Sequence, residues 1–188
     1  DNYRTYHPNY LTMEKLIKKH WEGKTLTENS SPGNDIADFT HNFAGRVTDI
    51  LIEMASKNID GAKYNMVMEW GMRTPEGPLA TMKDLKEKGY VNLVNFIAIH
   101  RDVSLEACKI RADVMNTEQH IVRRVPKSFH DLAVSTIADS CDTIYQQGVV
   151  EEKSVDELVI TTRDNKIVWN KDYKVKPSII YDEYLNNL

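Results

Sequence analysis

The sequence feature that most constrains the fold is a nearly continuous apolar run at residues 91–99, which includes β-branched and aromatic side chains. A run of this kind is typical of a strand that is covered on both faces, as strands of parallel sheets are. Because segments with helical periodicity precede and follow it, we predict an α/β protein with a parallel sheet flanked by helices.

A second strand is predicted just upstream and ends in Glu69, within the stretch NMVMEWGMRTP at residues 65–75. Its apolar part ends at Glu69, and a helix that ends near Gly89 follows. A strand, a helix and a strand in this order predict a right-handed crossover between two parallel strands.

Further helices are predicted from apolar positions spaced three and four residues apart. Residues 158–162 and 167–169 are predicted to form a C-terminal β-hairpin, with a short helix from Ser178. The predicted helix starts are after Pro8, at Asp35, at Asp102 as an N-cap and near Pro126. The inner faces predicted for the last two of these helices comprise Val103, Ala107, Ile110 and Val114, and Phe129, Leu132, Ala133, Ile137, Cys141 and Ile144.

The composition is that of a soluble globular protein, with 188 residues and a net charge of -4. This length fits one domain, so we predict a single domain over residues 1–188. Without a Lys/Arg run, a signal peptide or a long apolar span, there is no basis for a nucleic-acid or membrane partner. The two cysteines lack metal-ligand spacing, so we expect reduced thiols, a cytoplasmic location and no structural metal.

The first candidate site lies at the end of the upstream strand, where Glu69 and Arg73 come just before a helix start. In an open α/β sheet, ligands bind at the carboxyl ends of strands, since loops and helix N-termini surround the crevice there. The alternative is an ordinary strand-to-helix loop in which Glu69 and Arg73 pair with each other in solvent.

Three arginines form the second candidate, because Arg111, Arg123 and Arg124 flank a polar segment. Guanidinium groups are always charged and can bind two phosphate oxygens at once, so they stabilise the charge that spreads over a transferred phosphate. In a fold of alternating strands and helices, these arginines indicate a phosphoryl-transfer function. The alternative is that Arg111 is a solvated helix residue and the other two are an exposed loop pair.

Four motifs occur in the order and approximate spacing of one known family. They are Asp-x-Tyr-x-x-x-His-Pro at 1–8, residues 69–74 with Lys-x-Lys-Gly-Tyr at 86–90, Arg111, and Arg-x-x-Pro-Lys-x-x-His-Asp at 123–131. Through them the chain resembles the zeta toxins over about residues 1–160. These are bacterial P-loop kinases that use ATP and Mg²⁺ to phosphorylate the 3′-hydroxyl of UDP-N-acetylglucosamine, and a small antitoxin protein often holds them inactive.

The resemblance implies a role for each candidate residue. Asp1 matches the catalytic base, and Arg111 and Arg123 match the arginines that reach the ATP phosphates, with Arg124 beside them. The positions that match the sugar-nucleotide contacts of the family are Asp49, Glu69, Arg73 and Thr74.

The sequence also departs from the family. It contains no GxxxxGK[ST] loop to cradle the phosphates, and the resemblance starts at Asp1. We therefore expect the first strand and the P-loop to be absent from this chain, which leaves apolar surface exposed and the fragment itself inactive. Gly71 stands where the family has Thr, and Trp70 where it has Gly. Two alternatives stay open: a kinase of a nucleoside or an antibiotic, and a non-catalytic module that binds the sugar nucleotide or an antitoxin.

Overall fold

The protein is described here by a computed structural model. It describes residues 2–27, 30–57, 64–119 and 124–187, without the side chains of residue 2 and residues 115–119. Asp1 and Arg123 lie outside the described residues, so their predicted roles stay predictions.

The chain divides into two compact units. The first comprises Asp1–Met66 and Glu106–Lys127, and the second comprises Val67–Leu105 and Ser128–Leu188. The prediction of a single kinase domain over residues 1–188 stays a prediction. In chain order the elements are a 3-10 helix (Asn2–Tyr6), α1 (Tyr10–Trp21), α2 (Pro32–Ser56), α3 (Glu76–Glu87), β1 (Leu93–Ala98), α4 (Arg101–Gln119), α5 (Lys127–Thr143), a π-helix (Ile144–Glu151), β2 (Glu157–Thr162), β3 (Ile167–Asn170) and α6 (Pro177–Asn186).

The first unit is built on α1 and α2. The second of these helices begins at Pro32 because Ser31 caps it, accepting a hydrogen bond at Oγ from the backbone N–H of Asn34 at 3.2 Å. Proline suits the first helical position because a backbone N–H at that position would have no hydrogen-bond acceptor within the helix. Trp21, at the end of α1, donates its indole N–H to Asp35 at 2.8 Å and so ties the two helices together.

The second unit is built on a three-stranded sheet with the order β1-β2-β3. Strand β1 pairs in parallel with β2, and β2 pairs antiparallel with β3 as a hairpin. Buried residues of the sheet, such as Phe96, Ile160 and Trp169, form one apolar core with residues of α3, α5 and α6. The predicted α/β class, with parallel strands, flanking helices and a C-terminal hairpin, is confirmed.

The strand predicted to end at Glu69 is not formed. Residues 64–72 have neither helical nor strand structure, and Val67 is 94% exposed. A strand needs a neighbouring strand to satisfy its backbone polar groups, and within the ranges given above none pairs with this segment. The predicted crossover from this segment to β1 is therefore wrong, because the parallel partner of β1 is β2.

The prediction that both faces of β1 are covered is also wrong. Val94 and Phe96 are buried, whereas Leu93 is 69% and Ile97 54% exposed. Burial alternates along the strand because the core of the second unit contacts one side of it. This sheet therefore carries exposed apolar surface on its other side.

Two of the predicted helix faces are only partly correct. Cys141 and Ile144 are completely buried, but Phe129 is 50% and Ile110 56% exposed. Leu132, Val103 and Val114 are exposed as well. Periodicity identifies the apolar side of a helix but not whether another element packs on it.

The predicted N-cap of α4 is two residues too late, since the residue before the helix is His100. The helix begins at Arg101, so Asp102 lies in its first turn, and its backbone N–H donates to Nδ1 of His100 at 3.2 Å. None of the helices in the described ranges is both long and apolar enough to cross a membrane.

Candidate functional site

The segment that leads into α3 is anchored by its buried residues. Met72 packs against the core of the second unit, although its φ of 47° lies in the left-handed region that non-glycine residues rarely adopt. Pro75 is buried, and its carbonyl accepts a hydrogen bond from the N–H of Leu79 at 2.9 Å. Arg73 and Thr74 are therefore fixed from both sides.

Arg73 is exposed but held by α5 at two points. Its Cζ lies 5.1 Å from the centroid of the Phe129 ring, which is within the range of a cation–π contact. Buried Ser140 donates its hydroxyl to the carbonyl of Arg73 at 3.4 Å. Both the backbone and the guanidinium of Arg73 are thus positioned by this helix.

Glu69 and Thr74 are exposed on the same segment. An ion pair between Glu69 and Arg73 in solvent was the alternative to a functional site. The described residues show a different arrangement, in which the guanidinium of Arg73 lies over Phe129. The segment therefore presents a carboxylate, a hydroxyl and a cation to solvent, with the cation held by a ring face.

The first turns of α4 and α5 are linked next to this segment in the second unit. Arg101 lies 3.7 Å from the carboxylate of Asp131. His130 is 7% exposed, and its Nδ1 lies 3.9 Å from the same carboxylate. Neither ring nitrogen has a hydrogen-bond partner among the described residues. In the His-Asp pair of the fourth motif, His130 is thus buried and Asp131 is half-buried.

The first unit holds the other described candidates. Asp49 is exposed on α2, and Arg111 is exposed on α4 next to Ala112, which is 4% exposed. One segment of the second unit therefore carries Glu69, Arg73 and Thr74, whereas helices of the first unit carry Asp49 and Arg111. Their convergence on a single cleft stays a prediction.

Arg124 differs from Arg111 because it is partly buried. Its backbone N–H donates to the side-chain oxygen of Asn34 at 3.0 Å. Its Nε is buried and has no acceptor in the part of the chain that is described. A buried donor without an acceptor is costly, so an anion that accepts from this nitrogen would stabilise the site. Arg124 is therefore not fully exposed, and its predicted phosphate contact stays a prediction.

No cluster of metal-ligating side chains is found among the described residues. Across residues 2–27, 30–57, 64–119 and 124–187, no three His, Cys, Asp or Glu side chains are arranged to hold a metal ion. The predicted use of Mg²⁺ stays a prediction.

Sequence reasoning missed three residues that position Arg73. Phe129 was assigned to the inner face of its helix, and Met72 and Ser140 were given no role. Phe129 lies inside the fourth motif, which is a signal that could have singled it out. No local signal marks the positive φ of Met72, because neither glycine nor asparagine occupies that position.

Comparison with known proteins gives relatives of one kind. The family model described as Zeta toxin matches residues 1–174. Toxin PezT of Streptococcus pneumoniae is 26% identical over 173 residues, which cover 90% of this chain and 58% of that toxin. Toxin zeta of Enterococcus hirae is 24% identical over 153 residues, which cover 81% of this chain and 47% of the relative. The chain spans about half the length of the curated relatives it matches.

A solved structure shows the same fold. It comes from the characterization of the PezAT chromosomal toxin–antitoxin system of Streptococcus pneumoniae and aligns with a TM-score of 0.74 at 22% identity. The alignment covers 98% of this chain and 64% of the other. This likeness confirms the predicted P-loop-kinase-like architecture. Since the family model matches most of the sequence, the chain belongs to the Zeta toxin family.

Proposed function

We propose that the protein is an ATP-dependent phosphotransferase that phosphorylates the 3′-hydroxyl of UDP-N-acetylglucosamine. Its membership of the Zeta toxin family supports this proposal. The structural observation that carries it is the exposed segment with Glu69, Arg73 and Thr74, in which Arg73 is held by an aromatic ring and a backbone hydrogen bond. A cation held at the surface in this way is available to an anionic group of an acceptor.

The second unit supplies most of the acceptor contacts in this proposal. A carboxylate such as Glu69 accepts hydrogen bonds from sugar or ribose hydroxyls, and Thr74 can donate or accept. Arg73 suits the oxygens of the diphosphate because a guanidinium can donate two parallel hydrogen bonds. Asp49, in the first unit, adds a second acidic contact for the acceptor.

The groups that act in turnover are assigned to the first unit. Asp1 takes the proton from the acceptor hydroxyl, which makes the oxygen a better nucleophile. Arg111 and Arg123 stabilise the charge on the transferred phosphoryl group, and Arg124 donates to a phosphate oxygen. ATP supplies the phosphoryl group when it is bound, and Mg²⁺ would bind with it through the phosphate oxygens.

The proposal is tested by two measurements on the intact protein, because the fragment without a P-loop is expected to be inactive by itself. Calorimetric titration reports binding of UDP-N-acetylglucosamine, and ³¹P NMR after incubation with ATP and Mg²⁺ reports a 3′-phosphorylated product. We expect both, and we expect Asp1→Ala to abolish transfer while leaving binding nearly unchanged. Binding without transfer would favour the non-catalytic sugar-nucleotide module. The absence of both would overturn the proposal.

A second candidate is a kinase of another hydroxylated acceptor, such as a nucleoside or an antibiotic. It is favoured by Gly71, which stands where the family has Thr. A Cβ at this position would have no atom within 4 Å, so the fold has room for a side chain there. The missing hydroxyl therefore alters acceptor recognition and not packing. Transfer to nucleosides but not to UDP-N-acetylglucosamine would establish this candidate.

An antitoxin protein is the proposed partner, and the cytoplasm is the proposed location. The partner is proposed because the structure with the same fold comes from a toxin–antitoxin system. Co-purification with the product of a neighbouring gene would test it.

A further inference from the structure

Arg73 is held in a way that leaves its hydrogen-bond donors uncommitted. The contact places Cζ of Arg73 over the Phe129 ring, 5.1 Å from the ring centroid, within the range of a cation–π contact. Asp131 follows Phe129 by two positions on α5, and its Oδ1 lies 3.7 Å from Nη2 of Arg101. Among the described residues, none accepts a hydrogen bond from the Arg73 side chain. The cation is thus oriented by the ring and open to a ligand.

The backbone on either side of Arg73 is also fixed. Met72 keeps a left-handed conformation with its side chain packed against the core. Such a conformation persists only where the surroundings impose it, and it is common near functional sites. Ser140 is 3% exposed and donates to the Arg73 carbonyl. The guanidinium therefore extends from a backbone that has little freedom to move.

Burial in the core does not by itself explain the phenylalanine at position 129. It is 50% exposed in the first turn of α5, and it is not among the residues that form the core of the second unit. Burial of apolar area therefore gives only a partial account of a phenylalanine at this position. Its contact with Arg73 is the specific interaction that the structure provides.

We propose that Phe129 is a positioning residue for Arg73 in acceptor binding. The ring holds the guanidinium beside α5 before the acceptor arrives, so less side-chain entropy is lost when the acceptor binds. This inference rests on the proposed function, since it assigns the presented N–H groups to the acceptor UDP-N-acetylglucosamine. Phe129 itself need not touch the acceptor.

The test is a double-mutant cycle on the affinity for UDP-N-acetylglucosamine, measured by calorimetric titration. We expect Phe129→Leu to weaken binding about two- to five-fold, the size of an exposed cation–π contact. Phe129→Tyr keeps the ring face and should bind like wild type. In the Arg73→Ala background, Phe129→Leu should have no further effect, because the group it positions is gone.

Leu132→Ala is the matched control, since Leu132 lies on the same helix and is 47% exposed. It should leave the affinity unchanged, and the melting temperatures of all variants should show that they are folded. Wild-type affinity in Phe129→Leu, or an equal loss in the Arg73→Ala background, would overturn this inference while the proposed function stands. No binding by the wild-type protein would overturn both.

Discussion

The two units of the molecule are stabilised in different ways. In the second unit the most buried residues are large and apolar, with Leu158, Ile160 and Trp169 each at most 1% exposed. In the first unit they are small and polar, since Ser31 and Thr40 are both 0% exposed. Burial of hydrocarbon is therefore the main contribution seen in the second unit, whereas the first unit buries hydroxyls, which need hydrogen-bond partners, beside apolar residues such as Ile36 and Ala37.

The apolar side chains of α2 show the same contrast. Phe39, Ile50, Leu51 and Met54 are between 38% and 50% exposed. Thr40, on the same helix, donates to the carbonyl of Ile36 at 2.7 Å and accepts from Arg4 at 2.9 Å. The segment proposed to bind the acceptor is thus anchored on a large apolar core, while most residues proposed for turnover belong to the unit whose most buried side chains are polar.

The largest effect is expected from a charge of the first unit. Arg111→Ala should lower turnover by about 10³-fold, as loss of an arginine that stabilises the transition state does. Steady-state kinetics should place the loss in kcat, whereas Arg73→Ala should mainly raise KM for the acceptor. Lys109→Ala, an exposed lysine on the same helix, is the control and should leave kcat unchanged. Unchanged kcat in Arg111→Ala would show that Arg111 is a surface residue.

A core truncation in the second unit should give the next largest effect. Leu158→Ala removes a side chain that is 1% exposed, and it should lower the free energy of unfolding by about 3 kcal/mol. Leu16→Ala, in the first unit, removes one that is 56% exposed and should change it by less than about 0.5 kcal/mol. Urea denaturation measures both values. Equal losses would break the contrast between the units.

The cap of α2 should have a smaller effect. Ser31→Ala removes the acceptor for the N–H of Asn34 and should cost about 1 kcal/mol of stability. Ser31→Gly lets water reach that N–H, so it should lower the free energy of unfolding by only roughly a few tenths of a kcal/mol. Hydrogen exchange should show faster exchange at the start of α2 in the alanine variant. An effect confined to the sheet would contradict this account of the first unit.

The smallest effect is expected at an ion pair of the second unit. Hydrogen bonds from the Lys86 ammonium, and then from the backbone N–H of Asn92, lower the pKa of Asp156. A lowered pKa in the folded state stabilises the protein above the unfolded carboxyl's pKa of about 4, and this stabilisation is lost as pH falls through the folded value.

Asp156→Asn should therefore reduce the free energy of unfolding by about 0.5 kcal/mol at pH 7, a value discounted because the pair is exposed. The difference from wild type should shrink as the pH is lowered from 5 to 3. Urea denaturation at several pH values measures it. A difference that grows on acidification would have the wrong sign for this ion pair.

Local pattern predicted many of the elements correctly. The apolar spacing of α2 and α3, the left-handed glycine at residue 89 and the turn between β2 and β3 all depend on neighbours along the chain. The same holds for the motifs that identified the family, since their residues and spacing are properties of the sequence alone. The fold class and the family could therefore be inferred before any coordinates were known.

Long-range packing decided the rest. Whether residues 64–72 pair with a strand, and which face of β1 is covered, depends on elements distant in sequence, so local periodicity gave the wrong answer for both. The contact of Phe129 with Arg73 is likewise made only when α5 packs beside the segment that leads into α3. The sequence by itself determined which chemical groups the protein carries, and the tertiary structure decided which side chains hold Arg73, because a contact between distant residues has no local signature.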